Sequence, residues 1–252
     1  MRLLILLSIL LLPGLAAATE LTLGCGNSLP PYVIQHNNRG IALELMQRAM
    51  HLQGYRVEVY YGSNSELAER FNRGELDILC ITNKDVTPRA YFSHEPLLVF
   101  HNHAVTLKEN KIRLASVSEL EQYRIGAFSL ASKLLPVPFA ATVAKSPEYT
   151  EFIDQQLQVK QLFNKEKDVI IIDRMIFRYF MSRLRRAAPE DANLRSDVEL
   201  HALFPSTEYF TAFHSSELRN AFDAGMKSLA ESGEKEQIIT AYDRLLSEYL
   251  FQ

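Results

Sequence analysis

One arginine, Arg89, stands at a corner of the chain that suits the binding of an acidic group. Residues 76–100, "LDILCITNKDVTPRAYFSHEPLLVF", begin as an apolar strand, turn at Thr-Pro-Arg and return to a second apolar run. A guanidinium at the end of a strand is well placed to hold a carboxylate with two parallel hydrogen bonds. The alternatives are a solvated or capping residue, because most charged side chains lie at the surface, or a guanidinium that pairs with Asp85 or Glu95 nearby in the chain.

Metal and cofactor chemistry have weaker support in the sequence. His101 and His103 lie on one face of the predicted strand in "FHNHAV", with His94 close in sequence, but no carboxylate stands at a diagnostic spacing to complete a metal site. The loops "GCGNSL" and "YGSNSE" lack glycines that a dinucleotide loop and a nucleophile elbow require. We therefore expect no metal and no cofactor.

Alternating strands and helices must position these residues. Strand-like runs "ELTLGCG", "YRVEVYYG" and "ELDILCIT" are separated by two helical segments, "IALELMQRAMHLQG" and "SNSELAERFNRG". The second helix has Ser63 or Ser65 as its predicted cap. Strands that alternate with helices over such short distances indicate parallel pairing through helical crossovers.

The second half of the chain predicts a second α/β unit. Its predicted elements are a strand "HAVTL", a short helix "SVSELEQY", a strand "RIGAFS", a mostly helical stretch 147–167, a buried strand "DVIIID" and a helix "RMIFRYFMSRLRR". A return strand is predicted within 199–216, followed by two closing helices.

The N-terminus has the three-part layout of a secretory signal. Arg2 precedes an apolar run, and a Pro-Gly break leads to Ala16-Ala17-Ala18, so we expect cleavage after Ala18. A lipid anchor at Cys25 is disfavoured, because Glu20 separates that cysteine from the apolar run. No later segment is apolar enough to span a membrane, which predicts an exported, periplasmic product.

The charge pattern gives no support for nucleic-acid binding. The formal net charge is −3. The basic cluster of Arg183, Arg185 and Arg186 stands beside the acidic stretch "PEDANLRSD", which is typical of a solvated helix end.

Two cysteines, Cys25 and Cys80, leave two alternatives open. Both stand in apolar, strand-like runs. A disulfide is one reading, since an exported protein meets an oxidising compartment. Two buried free thiols are the other.

Several segments, taken in order, resemble the periplasmic solute-binding proteins of the polar amino acid type, family 3. The family's opening strand and Pro-Pro-aromatic loop resemble "LTLGCGNSLPPYV", and its first helix and second strand resemble "RGIALELMQRAMHLQGYRVEVYY". Further similar segments are "LAERFNRGELDILCIT", "FSHEPL", "VSELEQYRIGAFS" and "NKEKDVIIIDRMIFRYFM". The resemblance runs through nearly the whole chain after residue 18.

This resemblance implies an α/β, two-lobe fold, periplasmic binding protein type II, with two crossing strands as the hinge. Lobe 1 would take residues 19–104 and 210–252, and lobe 2 would take residues 105–209. The implied function is non-catalytic capture of a small polar solute, an amino acid or another carboxylate, between the lobes. The expected protein is a monomer that delivers its ligand to an ABC permease or presents it to a sensor protein. The first and third strands would be neighbours, which would place Cys25 beside Cys80.

The resemblance also implies the ligand-binding residues. Arg89 matches the arginine that holds the ligand carboxylate, although its corner is shorter here, and Asp173 matches the acid that receives the ligand amino group. Both follow strands at the edge where open α/β sheets bind ligands, so we expect them to face each other across the cleft. In place of the family's Gly-Thr or Gly-Ser pair at a lobe 2 helix start, "FSLASK" offers only Ser129 or Ser132.

Other departures concern the first lobe. Gly26 and Asn27 stand where an acidic residue usually follows the first strand, and Leu29 stands where an aromatic residue often covers the ligand. Tyr32 and Tyr91 are the remaining candidates for ligand contacts.

A few relatives of this fold are dehydratases, which makes a periplasmic dehydratase the alternative function. Such an enzyme uses a carboxyl group in the cleft as acid or base, and Glu95 and Asp85 are the candidates.

Overall fold

The computed structural model describes residues 19–27, 29–82, 87 and 89–248. The predicted signal peptide, residues 1–18, and Asp85 lie outside the described residues. The strands are β1 (Thr19–Gly26), β2 (Tyr55–Gly62), β3 (Ile78–Thr82), β4 (Tyr91–Phe92), β5 (Leu98–Phe100), β6 (Asn102–Leu107), β7 (Arg124–Phe128), β8 (Glu148–Phe152), β9 (Val169–Asp173), β10 (Val198–His201) and β11 (Thr207–Phe213). The α-helices are α1 (Ile41–His51), α2 (Asn64–Asn72), α3 (Ala131–Leu134), α4 (Pro138–Val143), α5 (Gln155–Phe163), α6 (Arg174–Ala187), α7 (Ser216–Glu231) and α8 (Glu234–Glu248).

These strands form two sheets, each flanked by helices. The first sheet has the order β2-β1-β3-β11-β4, with β5 also paired to β11, and the second has the order β10-β6-β9-β7-β8. The chain changes sheet at His101, between β5 and β6, and returns between β10 and β11. The predicted mixed α/β class with two sheets is confirmed. We call the first sheet with α1, α2, α7 and α8 lobe 1, and the second sheet with α3 to α6 lobe 2.

Lobe 1 begins with the strand and helix pattern that the sequence predicts. β1 pairs in parallel with both β2 and β3, and α1 and α2 make the crossovers. Ser63, not Ser65, caps α2, because its side chain accepts a hydrogen bond from the Glu66 amide at 3.3 Å. One cap oxygen therefore satisfies an amide at the start of the helix that would otherwise lack a partner.

Two sequence predictions are wrong in detail. The stretch 147–167 is not mostly helical, because it begins with β8 and only then enters α5, which Asp154 caps. The β-branched and aromatic residues of "EYTEF" fit an edge strand that pairs in parallel with β7. The stretch 199–216 contains two strands, β10 and β11, which belong to different sheets.

The two lobes share one apolar core. Buried side chains of β1 and α1 form a continuous cluster with those of β9 and α6, among them Leu23, Met46, Ile172 and Phe177. Helix α6 of lobe 2 also packs on α8 of lobe 1, where Arg178 and Asp243 form an ion pair. The lobes are therefore closed against each other on this side.

Candidate functional site

The carboxyl ends of the strands in the two lobes meet at Tyr32 and Asp173. Tyr32 lies in the connection after β1, and Asp173 is the last residue of β9. The Tyr32 hydroxyl donates a hydrogen bond to Asp173 Oδ1 over 3.0 Å, and both residues are buried. Burial raises the pKa of Tyr32, and the neighbouring Asp173 carboxylate raises it further, so the hydroxyl stays protonated and donates.

Asp173 is surrounded by donors from three parts of the chain. Besides Tyr32, its Oδ1 accepts the amides of Met175 at 2.9 Å and Ile176 at 3.1 Å, which makes it the N-cap of α6. Its Oδ2 accepts the amide of His101, the residue at which the chain changes sheet, at 2.8 Å. An ionised carboxylate has about four lone-pair sites. Four donors therefore already occupy this side chain.

The sequence analysis missed this capping role. An aspartate directly before an amphipathic helix is a known start signal, and "DRMIF" contains it. That Asp173 receives a ligand amino group stays a prediction.

Three aromatic rings lie beside this hydrogen-bonded centre. The Tyr32 ring stacks on Phe100, with 4.8 Å between the ring centroids and 18° between the planes. Phe100 in turn contacts Tyr209 at 4.8 Å with a 50° tilt. Phe100 ends β5 and Tyr209 lies in β11, so the rings join both crossing connections to the loop that carries Tyr32.

Two donors of the Arg89 corner have no partner among the residues that the structure describes. Arg89 is exposed and makes no hydrogen bond or ion pair with any residue that the structure describes, Glu95 included. Thr87 is only 1% exposed, yet its hydroxyl finds no hydrogen-bond partner in the described chain. The backbone turns here through a hydrogen bond from the Ala90 amide to the Thr87 carbonyl at 3.0 Å. Thr87 was not among the residues predicted from the sequence.

The other lobe 1 candidate, Tyr91, lies on the short strand β4. It is 45% exposed and is paired in register with Phe213 of β11. Glu95, the candidate acid of the dehydratase alternative, is exposed as well. A contact of either side chain with a ligand stays a prediction.

The start of α3 is occupied by a carboxylate of its own lobe. Glu151, near the end of β8, accepts the Leu130 amide at 2.7 Å, the Ser132 amide at 2.9 Å and the Ser132 hydroxyl at 2.7 Å. The Tyr149 hydroxyl adds a fourth bond at 2.7 Å. Burial alone would raise the pKa of Glu151, but the hydrogen bonds from Ser132, Tyr149 and Leu130 outweigh it and lower the pKa. Glu151 is therefore held as a carboxylate.

Ser129 and Ser132 thus differ in their surroundings. Ser132 is engaged with Glu151, whereas Ser129 is exposed and its amide donates to the Phe152 carbonyl at 3.0 Å. The sequence analysis missed Glu151, because that residue fell in a stretch predicted to be helical.

Cys25 and Cys80 lie side by side on β1 and β3 of lobe 1. β1 and β3 are neighbouring strands, as the resemblance implied. Both thiols are free and fully buried, and Cys25 contacts Cys80 through a side-chain hydrogen bond. Burial raises the pKa of Cys25 well above its usual value, and the contact with Cys80 raises it further. The Cys25 thiol is therefore protonated at neutral pH.

Two of the three histidines considered as metal ligands have other partners. His94 Nδ1 lies 2.7 Å from the Asp223 carboxylate, and His103 Nδ1 lies 2.8 Å from the His101 carbonyl oxygen. No group of three or more metal-ligating side chains occurs in the described part of the chain.

The basic cluster on α6 is only partly solvated. Arg183 and Arg186 are exposed, as expected. For Arg185 the prediction of a solvated side chain is wrong, because it is half-buried and its Nε donates to the Leu194 carbonyl at 2.8 Å. Arg183 and Arg186 also line a groove of about 540 Å³ that α6 forms with α8 and the loop at Arg39.

Comparison with known proteins identifies the fold. No protein-family model matches the chain, and no curated protein matches it. Solved structures do match. An amino acid ABC transporter substrate-binding protein, AbpA from Streptococcus pneumoniae bound to L-arginine, is 18% identical with a TM-score of 0.65, over 92% of this chain and 97% of that one.

Two further structures show the range of proteins with this architecture. A histidine kinase sensor domain with similarity to periplasmic binding proteins is 15% identical, with a TM-score of 0.67, over 90% of this chain and 96% of that one. The ancestral amino acid-binding protein AncCDT-1, a precursor of cyclohexadienyl dehydratase, is 14% identical with a TM-score of 0.65, over 88% and 95% of the two chains. The predicted two-lobe periplasmic binding protein fold is therefore confirmed. Within the described residues, no helix has the length and apolarity needed to cross a membrane.

Proposed function

We propose that this chain, which has the two-lobe periplasmic binding protein fold, is an exported receptor for a small polar solute, an amino acid or another carboxylate. The observation that carries the proposal is the meeting of the two lobes at the carboxyl ends of their strands, at Tyr32 and Asp173. Open α/β sheets bind ligands at this edge. The Arg89 guanidinium, which the sequence nominates for a ligand carboxylate, is exposed and has no partner among the described residues.

The location and the partner are parts of the same proposal. The apolar run and the Ala-Ala-Ala segment before residue 19 support export through a cleaved signal. Structures of similar architecture include a transporter substrate-binding protein and a kinase sensor domain. We infer that the ligand-bound form is recognised by a membrane permease or a sensor protein.

The first experiment is a thermal-shift screen of the purified mature protein against a library of amino acids, organic acids and other small solutes. A ligand that binds only the folded protein at about 100 times its Kd adds roughly 2.7 kcal/mol of stability. We expect at least one carboxylate to raise the Tm. If no compound in the library raised the Tm, the result would count against a receptor function.

The second experiment tests the role of Arg89. Charge-assisted hydrogen bonds contribute about 1.5 to 3 kcal/mol each, so Arg89→Ala should weaken binding of the ligand by roughly ten-fold or more. Arg56→Ala is the matched control, because Arg56 is 79% exposed on the far edge strand β2. Equal losses in both variants would contradict a specific role for Arg89.

A third experiment tests the non-catalytic part of the proposal. Incubation of the protein with prephenate or arogenate should leave both substrates unchanged. Dehydration above the uncatalysed rate would support the enzyme alternative instead.

A further inference from the structure

Helix α6 concentrates positive charge in a chain whose formal net charge is −3. Its fourteen residues, Arg174–Ala187, include five arginines and no acidic residue. Arg178 forms an ion pair with Asp243 of α8, whereas Arg183 and Arg186 are exposed. Capture of a solute between the lobes does not account for these exposed basic side chains.

The exposed arginines of α6 line the groove of about 540 Å³ that this helix forms with lobe 1. The lobe 1 walls are α8 and residues 34–39. We call it the basic groove, and the lining residues that matter below are Arg39, Tyr179, Arg183, Arg186, Tyr242 and Leu245. Three arginines line the groove, and no aspartate or glutamate of the described chain does. A cleft with one sign of charge attracts the opposite charge, so a partner for this groove is anionic.

Arg183 is available to a carboxylate from outside the chain. It makes no ion pair and no hydrogen bond with any residue that the structure describes. Its guanidinium carbon lies 5.9 Å from the centre of the Tyr179 ring, which holds the side chain on the groove wall. Glu190, the first acidic residue after α6, is 96% exposed and pairs with Arg195 over 3.8 Å. A guanidinium in this position can bind a carboxylate with two parallel hydrogen bonds.

Aromatic and apolar surface lies between the basic side chains. Tyr179 of α6 and Tyr242 of α8 both line the groove, as does Leu245 of α8, which is 49% exposed. The Arg39 guanidinium carbon lies 5.9 Å from the centre of the Tyr242 ring. Tyrosine and arginine are enriched at protein interfaces. This mixture fits an amphipathic segment of a protein better than a small inorganic anion, which makes no contact with the apolar surface.

A lipid surface fits the basic groove less well. Anionic lipids are typically bound by clusters of about four to eight basic side chains. The groove has three arginines, and Glu44 offsets Arg39 through an ion pair at 2.9 Å. A flat surface also cannot reach the lining of a concave groove, whereas a protein segment that enters it can.

Both lobes contribute to the basic groove. The ion pair of Arg178 with Asp243 joins α6 to α8, and these two residues directly precede Tyr179 and follow Tyr242. A hinge motion that separated α6 from α8 would therefore separate the walls of the groove. A partner bound there contacts the closed arrangement of the lobes.

We propose that the basic groove is the docking surface for an acidic, amphipathic segment of a protein partner. The carboxylates of that segment contact the arginines, and its apolar side chains lie against the two tyrosines and Leu245. This inference rests on the proposed function for the nature of the partner, a permease or a sensor protein. It adds the surface and the chemistry by which such a partner recognises the closed lobes.

The test uses a fluorescein-labelled synthetic peptide of two heptads, with glutamates on one helical face and leucines on the other. One comparison peptide has lysines in place of the glutamates, and a second has serines in place of the leucines. In fluorescence anisotropy with the mature protein, we expect the acidic peptide to bind roughly ten-fold or more tightly than either comparison peptide. Its affinity should fall as the salt concentration rises, because salt screens exposed charges.

Variants of the protein locate the bound peptide. Arg183→Glu in lobe 2 and Leu245→Ser in lobe 1 should each weaken binding of the acidic peptide by roughly ten-fold. Arg56→Glu is the matched control for the change of charge, since Arg56 is 79% exposed and does not line the groove. Leu157→Ser is the matched control for the loss of apolar surface, since Leu157 is 45% exposed on α5. Equal losses in the variants and their controls would overturn the assignment.

The outcomes separate this inference from the proposed function. A protein that binds a solute in the thermal-shift screen but does not bind the acidic peptide overturns the docking surface and leaves the receptor function intact. Binding of the peptide without any solute ligand supports the docking surface and counts against the receptor. Binding of phosphatidylglycerol vesicles that Arg183→Glu abolishes, without binding of the peptide, would assign the groove to a lipid surface and overturn the inference as well.

Discussion

Arg124 and Asp168 form an ion pair with two hydrogen bonds between the first residue of β7 and the residue before β9. Nε lies 3.1 Å from Oδ2 and Nη2 lies 2.7 Å from Oδ1, and the Arg124 amide donates to Oδ2 at 2.9 Å. Lobe 1 has a similar arrangement, in which Asp77 before β3 accepts the amide and hydroxyl of Thr22 in β1, each at 2.7 Å. In both lobes, an aspartate directly before one strand joins that strand to a neighbouring parallel strand.

The Arg124–Asp168 pair predicts a dependence of stability on pH. The hydrogen bonds and charge of Arg124 lower the pKa of Asp168 in the folded protein, so the contribution is complete above the unfolded value, about pH 4, and is lost as pH falls through the lower folded value. Asp168→Asn should reduce the free energy of unfolding at pH 7 by at most about 1 kcal/mol, because the Arg124 side chain is 41% exposed. Denaturation between pH 7 and pH 3 should show the difference from wild type shrinking below about pH 4. Glu190→Gln, at a side chain that is 96% exposed, is the control and should show no such trend.

Gly225→Ala should destabilise the protein although alanine favours helices. A Cβ atom at Gly225 in α7 would lie 2.2 Å from the Ala49 carbonyl oxygen of α1, and a backbone atom cannot move aside cheaply. Overpacking costs about 1 to 3 kcal/mol, against a gain of roughly 0.8 to 1.0 kcal/mol in helix propensity. We expect a lower Tm for Gly225→Ala and a neutral effect for Ser228→Ala on the exposed face of the same helix. An increase in Tm would show that α1 and α7 can separate without cost.

Leu130→Gly should stabilise the protein. Leu130 has φ = 65° and ψ = 16°, a left-handed conformation that costs a residue with a side chain about 1 to 2 kcal/mol. Glycine removes this strain, but its greater conformational freedom in the unfolded chain cancels roughly half of the resulting gain in stability. The net expectation is a rise of roughly 0.5 to 1 kcal/mol in the free energy of unfolding, measured in urea. Leu134→Gly, inside α3 with ordinary helical geometry, should lower stability, and equal effects of the two changes would contradict this reasoning.

The cysteines should be unreactive in the folded protein and reactive after unfolding. Cys25 and Cys80 are free and fully buried, and burial raises the pKa of Cys25, which suppresses the thiolate that reacts. Iodoacetamide at neutral pH should therefore modify neither residue in the native state and both residues in denaturant without reductant. Intact mass gives the count. Two unmodified cysteines in the denatured, unreduced sample would show that the pair is oxidised to a disulfide in the exported protein.

The elements of lobe 1 could be predicted because their signals are local. The period of apolar residues marks α1, and a short apolar run marks β3. Strand β8 was missed because its five residues stand directly before α5, and the helical period of the longer segment dominated the prediction. The division of 199–216 into two strands depends on which sheet each one joins, which neighbouring residues do not reveal.

The polar partners of the candidate site could not be predicted, because they are distant in sequence. Tyr32 and Asp173 are 141 residues apart, and Glu151 reaches the start of α3 from a different strand. The residue types identified Arg89 and Asp173 as side chains able to bind charged groups of a ligand. Whether such a group is free for a ligand depends on which donors the fold brings to it.

The position of β11 has a consequence for the order in which the protein can fold. This strand lies between β3 and β4 in the first sheet, yet it is built from residues 207–213, which follow all of lobe 2. As the chain emerges from its N-terminus, lobe 2 is the first unit whose strands are all present, while β3 still exposes an unpaired edge. Such edges pair readily with other chains. Lobe 1 therefore needs β11, which is made after lobe 2, and the helices that follow it. They cover the edge of β3 in a sheet whose first strands are made much earlier.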